Sequence, residues 1–254
     1  MNKGFLVREQ FHLHFLRHLA ARFSSRPYAV KGGICLRFFH HSPRLSEDMD
    51  IDISPGVPIK TLQNNVDAIL SGAALGASLR MHGVESIESS RHKQTETTQR
   101  WKGRIIMTGG LQYFTRLEFS RRGLLSNVQR GVPDAEILKA SFLPPFAASH
   151  YGALSMIRQK INALASPSRT AARDLFDLHH LFFYERPAME SLRRLIPSDH
   201  LKDSLVKIGR FEYEDFRDQV LPYLPGDLQM LYNEETNFHK LRDEVKNGVM
   251  ELAQ

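Results

Sequence analysis

The spacing of apolar residues changes along the chain, and that change divides it. Up to about residue 23, apolar positions recur every three or four residues among Arg8, Glu9, His12, His14, Arg17 and His18. This predicts an amphipathic helix over 5–23. Tyr28 to Lys31 reads as a short strand running into Gly32-Gly33, and 34–40 as a short helix stopped by Ser42-Pro43. Asp48 to Ser54 alternates strictly between acidic or polar and apolar residues, the mark of a strand. Pro58 opens a helix that the pattern carries to about Ala77. Residues 84–108 and 112–121 are rich in Thr, Ile, Val, Phe and Tyr. They predict two or three antiparallel strands with Gly109-Gly110 as a turn and 89–102 as a long exposed hairpin. Residues 124–148, with Pro133, Pro144 and Pro145, read as a connector, and the chain is helical from His150 onward. The expected class is α+β: a mixed sheet flanked by helices over 1–145, then a helical part over 146–254.

Composition narrows the functional classes. With 42% hydrophobic and 24% charged residues, the chain resembles an ordinary soluble globular protein. No apolar run approaches the roughly 18 residues needed to span a bilayer, so no membrane association is expected. The N-terminal helix carries too many charges to be a signal peptide. The single cysteine, Cys35, can form neither an internal disulfide nor a cysteine-based zinc cluster, and a cytoplasmic location follows. A formal charge of +6 favours polyanionic partners, although many modestly basic proteins bind no nucleic acid.

The candidate chemistry starts on the alternating strand. Asp48, Asp50 and Asp52 share one strand face, and Met49, Ile51 and Ile53 share the other. Successive carboxylates then stand roughly 6–7 Å apart, at about 3.3 Å of rise per residue. Like charges at that distance repel, and aspartate is a poor strand former. A divalent cation would offset the cost, since Mg²⁺ takes one or two carboxylates together with substrate phosphates. The alternative is an edge strand whose acids simply face water.

Lys31-Gly32-Gly33 ends a strand and opens a helix just before these acids. Glycine lets the backbone approach a ligand closely, and a helix N-terminus favours an anion such as a triphosphate. Arg37 and Arg44 add positive charge in between, and Ser46 lies two residues before Asp48. In the helical part, Lys160 lies on one expected helix. Ser166 is the expected N-cap, with Pro167 at the first position, of a second helix over about 167–184. On that helix Asp174 falls within the apolar arc of Leu175, Leu178, Leu181 and Phe182, and Asp177 falls at its edge. Arg173 can pair with Asp177 one turn on. An inward aspartate needs a partner, for which Lys160 is the nearest candidate. The pair is either a structural bridge between two helices or part of a catalytic cleft.

These residues resemble a known family. Lys31-Gly32-Gly33-Ile34-Cys35-Leu36-Arg37 and Ser42-Pro43-Arg44-Leu45-Ser46-Glu47-Asp48-Met49-Asp50-Ile51-Asp52 are similar to the first motifs of the AbiEii/AbiGii nucleotidyltransferase toxins. Lys160-Ile161-Asn162-Ala163-Leu164 followed by Arg173-Asp174-Leu175-Phe176-Asp177-Leu178 resembles the family's later lysine and R-D-x-x-D-L motif, in the same order and at similar spacing. Met49 stands where Leu or Ile is usual, and His40-His41 replaces a small or aromatic pair.

The resemblance implies a fold of the DNA polymerase β nucleotidyltransferase superfamily and a role as the toxin of a bacterial toxin–antitoxin or abortive-infection system. It implies Mg²⁺, an NTP substrate and a cognate antitoxin protein. Relatives of the MenT group transfer nucleotides from an NTP to tRNA 3′ ends, which makes tRNA or another RNA the expected acceptor. Residue by residue, Ser46 matches the phosphate-contacting serine, Asp48 and Asp50 the metal-binding carboxylates, Lys160 the motif lysine and Asp174 the later catalytic aspartate. Gly32, Gly33, Arg37, Arg44 and Arg173 join the expected phosphate contacts. Glu118 could supply a third metal carboxylate, although a cross-strand Arg–Glu pair would explain it equally well. The histidines at 12, 14, 18, 179 and 180 lack a clear third ligand and are expected to be ordinary surface residues. Rival readings are transfer to a protein or small molecule, and a non-catalytic protein that binds an antitoxin or RNA.

Overall fold

The computed structural model describes residues 3–23 and 27–254. The chain forms two compact units. One comprises Met1–His41 with Leu45–Tyr151, and the other comprises Ser42–Arg44 with Gly152–Gln254.

In the first unit the elements run α1 (Lys3–Arg22), β1 (Tyr28–Lys31), α2 (Gly32–Phe39), β2 (Asp48–Ile53), α3 (Ile59–Leu70), α4 (Ala73–Arg80), β3 (Val84–Gln94), β4 (Thr98–Met107), β5 (Gln112–Ser120), β6 (Val128–Gly131), α5 (Ala135–Ala140) and β7 (Ala148–Tyr151). Among the described residues these strands make one seven-stranded sheet in the order β3-β4-β5-β2-β1-β7-β6. β2 runs antiparallel to β1 and parallel to β5, β7 runs parallel to β1, and the remaining pairs are antiparallel. The sheet is therefore mixed, as expected for this fold class.

The alternation read in β2 is the alternation observed. Met49, Ile51 and Ile53 are wholly buried, together with Leu117 and Phe119 of β5 and Trp101 and Ile105 of β4. Helices α1, α3 and α4 supply Phe11, Phe15, Leu62, Val66, Leu75 and Leu79 to the same core. Trp101 is packed there, with its indole N–H donating to Asp67 Oδ1 of α3 at 2.7 Å. Gly109 and Gly110 form the β4–β5 turn at φ +95° and +86°, a backbone that residues with a Cβ rarely adopt.

Several boundaries differ from expectation for identifiable reasons. The helix expected from Pro58 to Ala77 is two helices. Ser71 Oγ donates to Asp67 O and caps the first, and a Cβ at Gly72 would lie 2.7 Å from Ala68 O. The connector over 124–148 holds β6 and α5, the latter capped by Asp134 accepting from the amides of Glu136 and Ile137. His150 belongs to β7, because its strand pairs on both edges with residues far off in sequence.

Buried histidines add a pH dependence to this unit. Thr115 Oγ1 donates to Glu47 O at 2.7 Å, so it accepts from His12 Nε2, also at 2.7 Å. His12 thereby fixes the carbonyl just ahead of Asp48 from beneath the sheet. Burial, aided by the charge of Arg8, pushes His12 down to about 3, and burial beside His82 pushes His14 down to about 4. Both stay neutral in the folded protein while the unfolded chain takes up protons below about 6.5. Stability is thus present above pH ~6.5 and is lost as pH falls from there toward the folded values, by at most about 1.4 kcal/mol per pH unit for each histidine. Urea unfolding measured from pH ~7.5 to ~5 is expected to follow this fall, with a shallower slope in His12→Asn. Equal slopes for the two proteins would remove His12 from the account.

The second unit is helical: α6 (Ala153–Ala165), α7 (Arg173–His180) with a π-turn over Leu181–Glu185, α8 (Met189–Leu195), α9 (Ser198–Ile208), α10 (Tyr213–Gln219), α11 (Gly226–Tyr232) and α12 (Glu235–Ala253). Ser166 ends α6 as its C-cap, and α7 begins only at Arg173, later than the expected start near 167. Ile157, Ile161, Leu175, Leu178, Phe216, Phe238 and Val245 form the core between these helices.

Candidate active site

The polar face of the sheet brings opposite charges into register. Asp50 of β2 sits between Lys31 of β1 and Glu118 of β5, and Asp48 sits beside Arg116. On the next strand Arg100 is in register with Glu118, and Lys102 with Arg116. Neighbouring strands thus place cations among the acids, which lowers the repulsion along the D-x-D-x-D run. Arg116 Nη2 lies 2.6 Å from Asp48 Oδ2. Lys31 Nζ donates to Asp52 Oδ1 at 2.5 Å, and the Tyr151 hydroxyl donates to Asp52 Oδ2 at 2.9 Å. Burial, with the Asp52 charge adding to it, pushes the Tyr151 hydroxyl well above its usual range, so it remains a donor.

Asp52 is buried and held by these two groups, whereas Asp48 and Asp50 are half-buried on the open part of the face. Glu118 is engaged by Arg100, whose Nε and Nη2 reach the same Oε2 at 2.8 and 2.5 Å. That is the cross-strand pair weighed above as the alternative to metal ligation.

The glycine turn lies against the second acid. Gly32 has φ +68°, and a Cβ built on it would fall 3.1 Å from Asp50 Oδ2. The N-cap of α2 is Lys31, with no side-chain cap on the first helical amides. Hard carboxylate oxygens on one face, beside a backbone concavity that any side chain would fill, fit a small divalent cation with a phosphate ligand. Gly32→Ala tests this closeness. The left-handed backbone costs about 1–2 kcal/mol with a Cβ, a loss of only a few degrees in Tm. The transfer activity that the resemblance implies is expected to fall by about tenfold or more because Asp50 must move. Transfer that tracked the small stability loss alone would show that the contact does not matter. Ser46 lies just ahead of β2 rather than within it, and its hydroxyl donates to Asp48 O at 3.1 Å.

In the helical unit the inward aspartates are paired more extensively than expected. Lys160 Nζ donates to Asp174 Oδ1 at 2.7 Å and to Asp177 Oδ2 at 2.5 Å. Arg44 grips Asp177 with two parallel bonds, Nε to Oδ1 and Nη2 to Oδ2, both 2.8 Å. Arg169 Nε reaches Asp174 Oδ2 at 2.5 Å. Both aspartates are fully buried. Burial alone would raise the Asp177 carboxyl, but Arg44 and then Lys160 outweigh it and hold the group far below its usual range. Burial would likewise lower Lys160, and Asp174 and Asp177 reverse that, so the ammonium persists. Three cations face two anions in this cluster, and Lys160 retains one N–H beyond its two bonds.

Two of the three arginines expected at phosphates are engaged by carboxylates. Arg37 Nε donates to Glu9 Oε2 of α1 at 2.5 Å, and Arg44 is buried on Asp177. Arg173 is exposed on α7 and does not take Asp177, which Arg44 and Lys160 already occupy. Arg169 and Arg116 were not anticipated; Arg116 could have been read from its place two residues before Glu118. Cys35, His40 and His150 bring ligand-type atoms within 4.8 Å of one another. Their bonds converge on the Tyr151 carbonyl, from Cys35 Sγ at 3.5 Å, His40 Nε2 at 2.9 Å and His150 Nδ1 at 3.1 Å, and this accounts for the cluster.

A mixed sheet with two half-buried carboxylates on its central strand, one of them pressed against a glycine turn that opens a helix, keeps together the features that carried the resemblance to the nucleotidyltransferase toxins. The comparisons agree. A family model described as "Nucleotidyl transferase AbiEii toxin, Type IV TA system" matches residues 14–245, and the chain belongs to that family of nucleotidyltransferase toxins. No curated protein matches the chain. Several solved structures share the fold. MenT4, a nucleotidyltransferase toxin from Mycobacterium tuberculosis, aligns with TM-score 0.60 and 15% identity over 100% of this chain and 96% of its own. JHP933 from Helicobacter pylori aligns with TM-score 0.51 and 18% identity over 100% and 90%. Among the described residues, no helix is long and apolar enough to cross a membrane.

Proposed function

We propose that the chain is an Mg²⁺-dependent toxin that transfers a nucleoside monophosphate from an NTP to the 3′ end of an RNA, with tRNA the favoured acceptor, and that a cognate antitoxin protein restrains it in the cytoplasm. The observation that carries this reading is the closeness of Asp50 to Gly32 on the open face of the sheet. Asp48 and Asp50 hold the metal there, and Gly32, Gly33 and Ser46 face the triphosphate. When bound, Mg²⁺ supplies positive charge that neutralises the phosphates and favours the departing pyrophosphate. Arg116 keeps Asp48 in place. Glu118 is held by Arg100, which neutralises it beside Asp50, and it is not assigned as a ligand. Within the helical unit, Asp174 and Asp177 hold and orient the Lys160 ammonium. The acceptor hydroxyl attacks the α-phosphate and gives up its proton to solvent, a new P–O bond forms as the bond between the α-phosphorus and the bridging oxygen breaks, and pyrophosphate leaves from the opposite side.

The test is incubation of the purified protein with Mg²⁺, total tRNA and each labelled NTP in turn. Label is expected in RNA with the wild type and not with Asp50→Ala. Label entering a protein or small molecule instead would overturn the RNA acceptor, and transfer surviving in Asp50→Ala would overturn the site.

A further inference from the structure

A cleft of about 410 Å³ opens on the first unit beside Asp48, lined among others by Arg8, Lys102, Phe114, Thr115 and Arg116. Phe114 is largely exposed, although it stands on the same strand face as Arg116 and Glu118. Its backbone is fixed: Arg8 Nε donates to Phe114 O at 2.6 Å, and the Arg8 guanidinium lies 5.7 Å from the Tyr113 ring centroid. Lys102 is exposed and in register with Arg116, and no hydrogen bond or ion pair engages it among the described residues. Arg116 Nε is buried without a hydrogen-bond partner while Nη2 holds Asp48. A flat apolar ring framed by a free ammonium and two guanidinium groups is the chemistry that takes a base and its phosphates.

The position of the cleft gives it a role. In the strand order β4-β5-β2-β1, the Gly32 turn lies on the β1 side of the acids, and the cleft lies over β4 and β5 on the other. In-line displacement places the attacking and leaving oxygens on opposite sides of the transferred phosphorus. With the triphosphate over Gly32, the attacking hydroxyl must come from the β5 side. We infer that this cleft is the acceptor site, shaped for a single-stranded nucleic-acid 3′ end. Phe114 stacks a terminal base, and Lys102 and Arg116 take the phosphates next to it. This inference rests on the assignment of Asp48 and Asp50 proposed above.

Binding of a fluorescein-labelled short single-stranded RNA, followed by anisotropy in EDTA, tests the cleft without requiring turnover. Phe114→Ala is expected to weaken binding by about tenfold. Lys102→Glu is expected to weaken it several-fold and to flatten the salt dependence by about one phosphate contact. Both positions are exposed, so the thermal melt should be unchanged, and binding of a fluorescent ATP analogue should be unchanged too. RNA bound equally by wild type and the Lys102→Glu/Phe114→Ala double variant overturns the cleft assignment, as does transfer to a protein acceptor unaffected by the double variant. A result in which Asp50→Ala abolishes transfer while the double variant binds RNA normally sinks the cleft alone. Survival of transfer in Asp50→Ala sinks the underlying site instead.

Discussion

Replacing Asp50 by alanine is expected to abolish nucleotidyl transfer, by about three orders of magnitude or more, with little loss of stability. The size follows from what the carboxylate does in the proposed site. It faces the concavity at Gly32 and shares its strand face with Asp48, so removing it leaves one carboxylate for a cation that must also grip a triphosphate. A thousandfold loss corresponds to about 4 kcal/mol of transition-state stabilisation, within the several kcal/mol that Lewis-acid charge provides. Stability should hold because Asp50 is half-buried and removing it relieves repulsion from its two neighbours on β2. Asp52→Ala is the informative contrast. It frees the half-buried Lys31 ammonium and the buried Tyr151 hydroxyl, so it should lower Tm more than Asp50→Ala does. Steady-state transfer and thermal melts on both variants separate the two roles. Equal activity losses with equal melts would show that the three acids act as one electrostatic patch.

The second large effect is on stability. Asp177→Ala should destabilise the helical unit by about 3–5 kcal/mol, since it strands Arg44 and Lys160 among buried neighbours with one carboxylate fewer. The aspartate contributes stability above its unfolded value near 3.9 and loses it as pH falls through its much lower folded value, so the wild type should resist mild acid on this account. Urea unfolding at neutral pH measures the cost directly. The paired replacement Arg44→Met/Asp177→Leu removes charge and countercharge together and should recover much of the loss. A double variant as unstable as Asp177→Ala would show that packing, not the uncompensated charge, sets the cost.

What could be read in the sequence depended on how local each determinant was. The acidic strand was legible because its alternation is complete within six residues and places the acids on one face. The glycine turn was legible because it lies close to that strand. The pairing of Lys160 with Asp174 could be anticipated because an inward acid demands a partner and the lysine is one helix away. The fate of Arg44 could not, since its carboxylate lies 133 residues further on and only the fold joins them. The short strands β6 and β7 were missed for a similar reason. Four residues carry little periodicity, and their identity as strands comes from distant partners. The break at Ser71-Gly72 was within reach, because a serine and a glycine in mid-helix are an ordinary stop signal.

The three residues Ser42–Arg44 belong to the helical unit although the chain on both sides of them belongs to the other. A fragment beginning at Gly152 therefore contains every helix of its unit but lacks the guanidinium that Asp177 requires. Such a fragment should melt below the intact protein, and a peptide spanning Ser42–Arg44 or a graft of that loop should partly restore it. During synthesis the arginine leaves the ribosome long before its carboxylate does. The helical unit can thus close its charge cluster only after more than a hundred further residues have emerged, and a chain stopped before α7 would carry an arginine with nothing to bind.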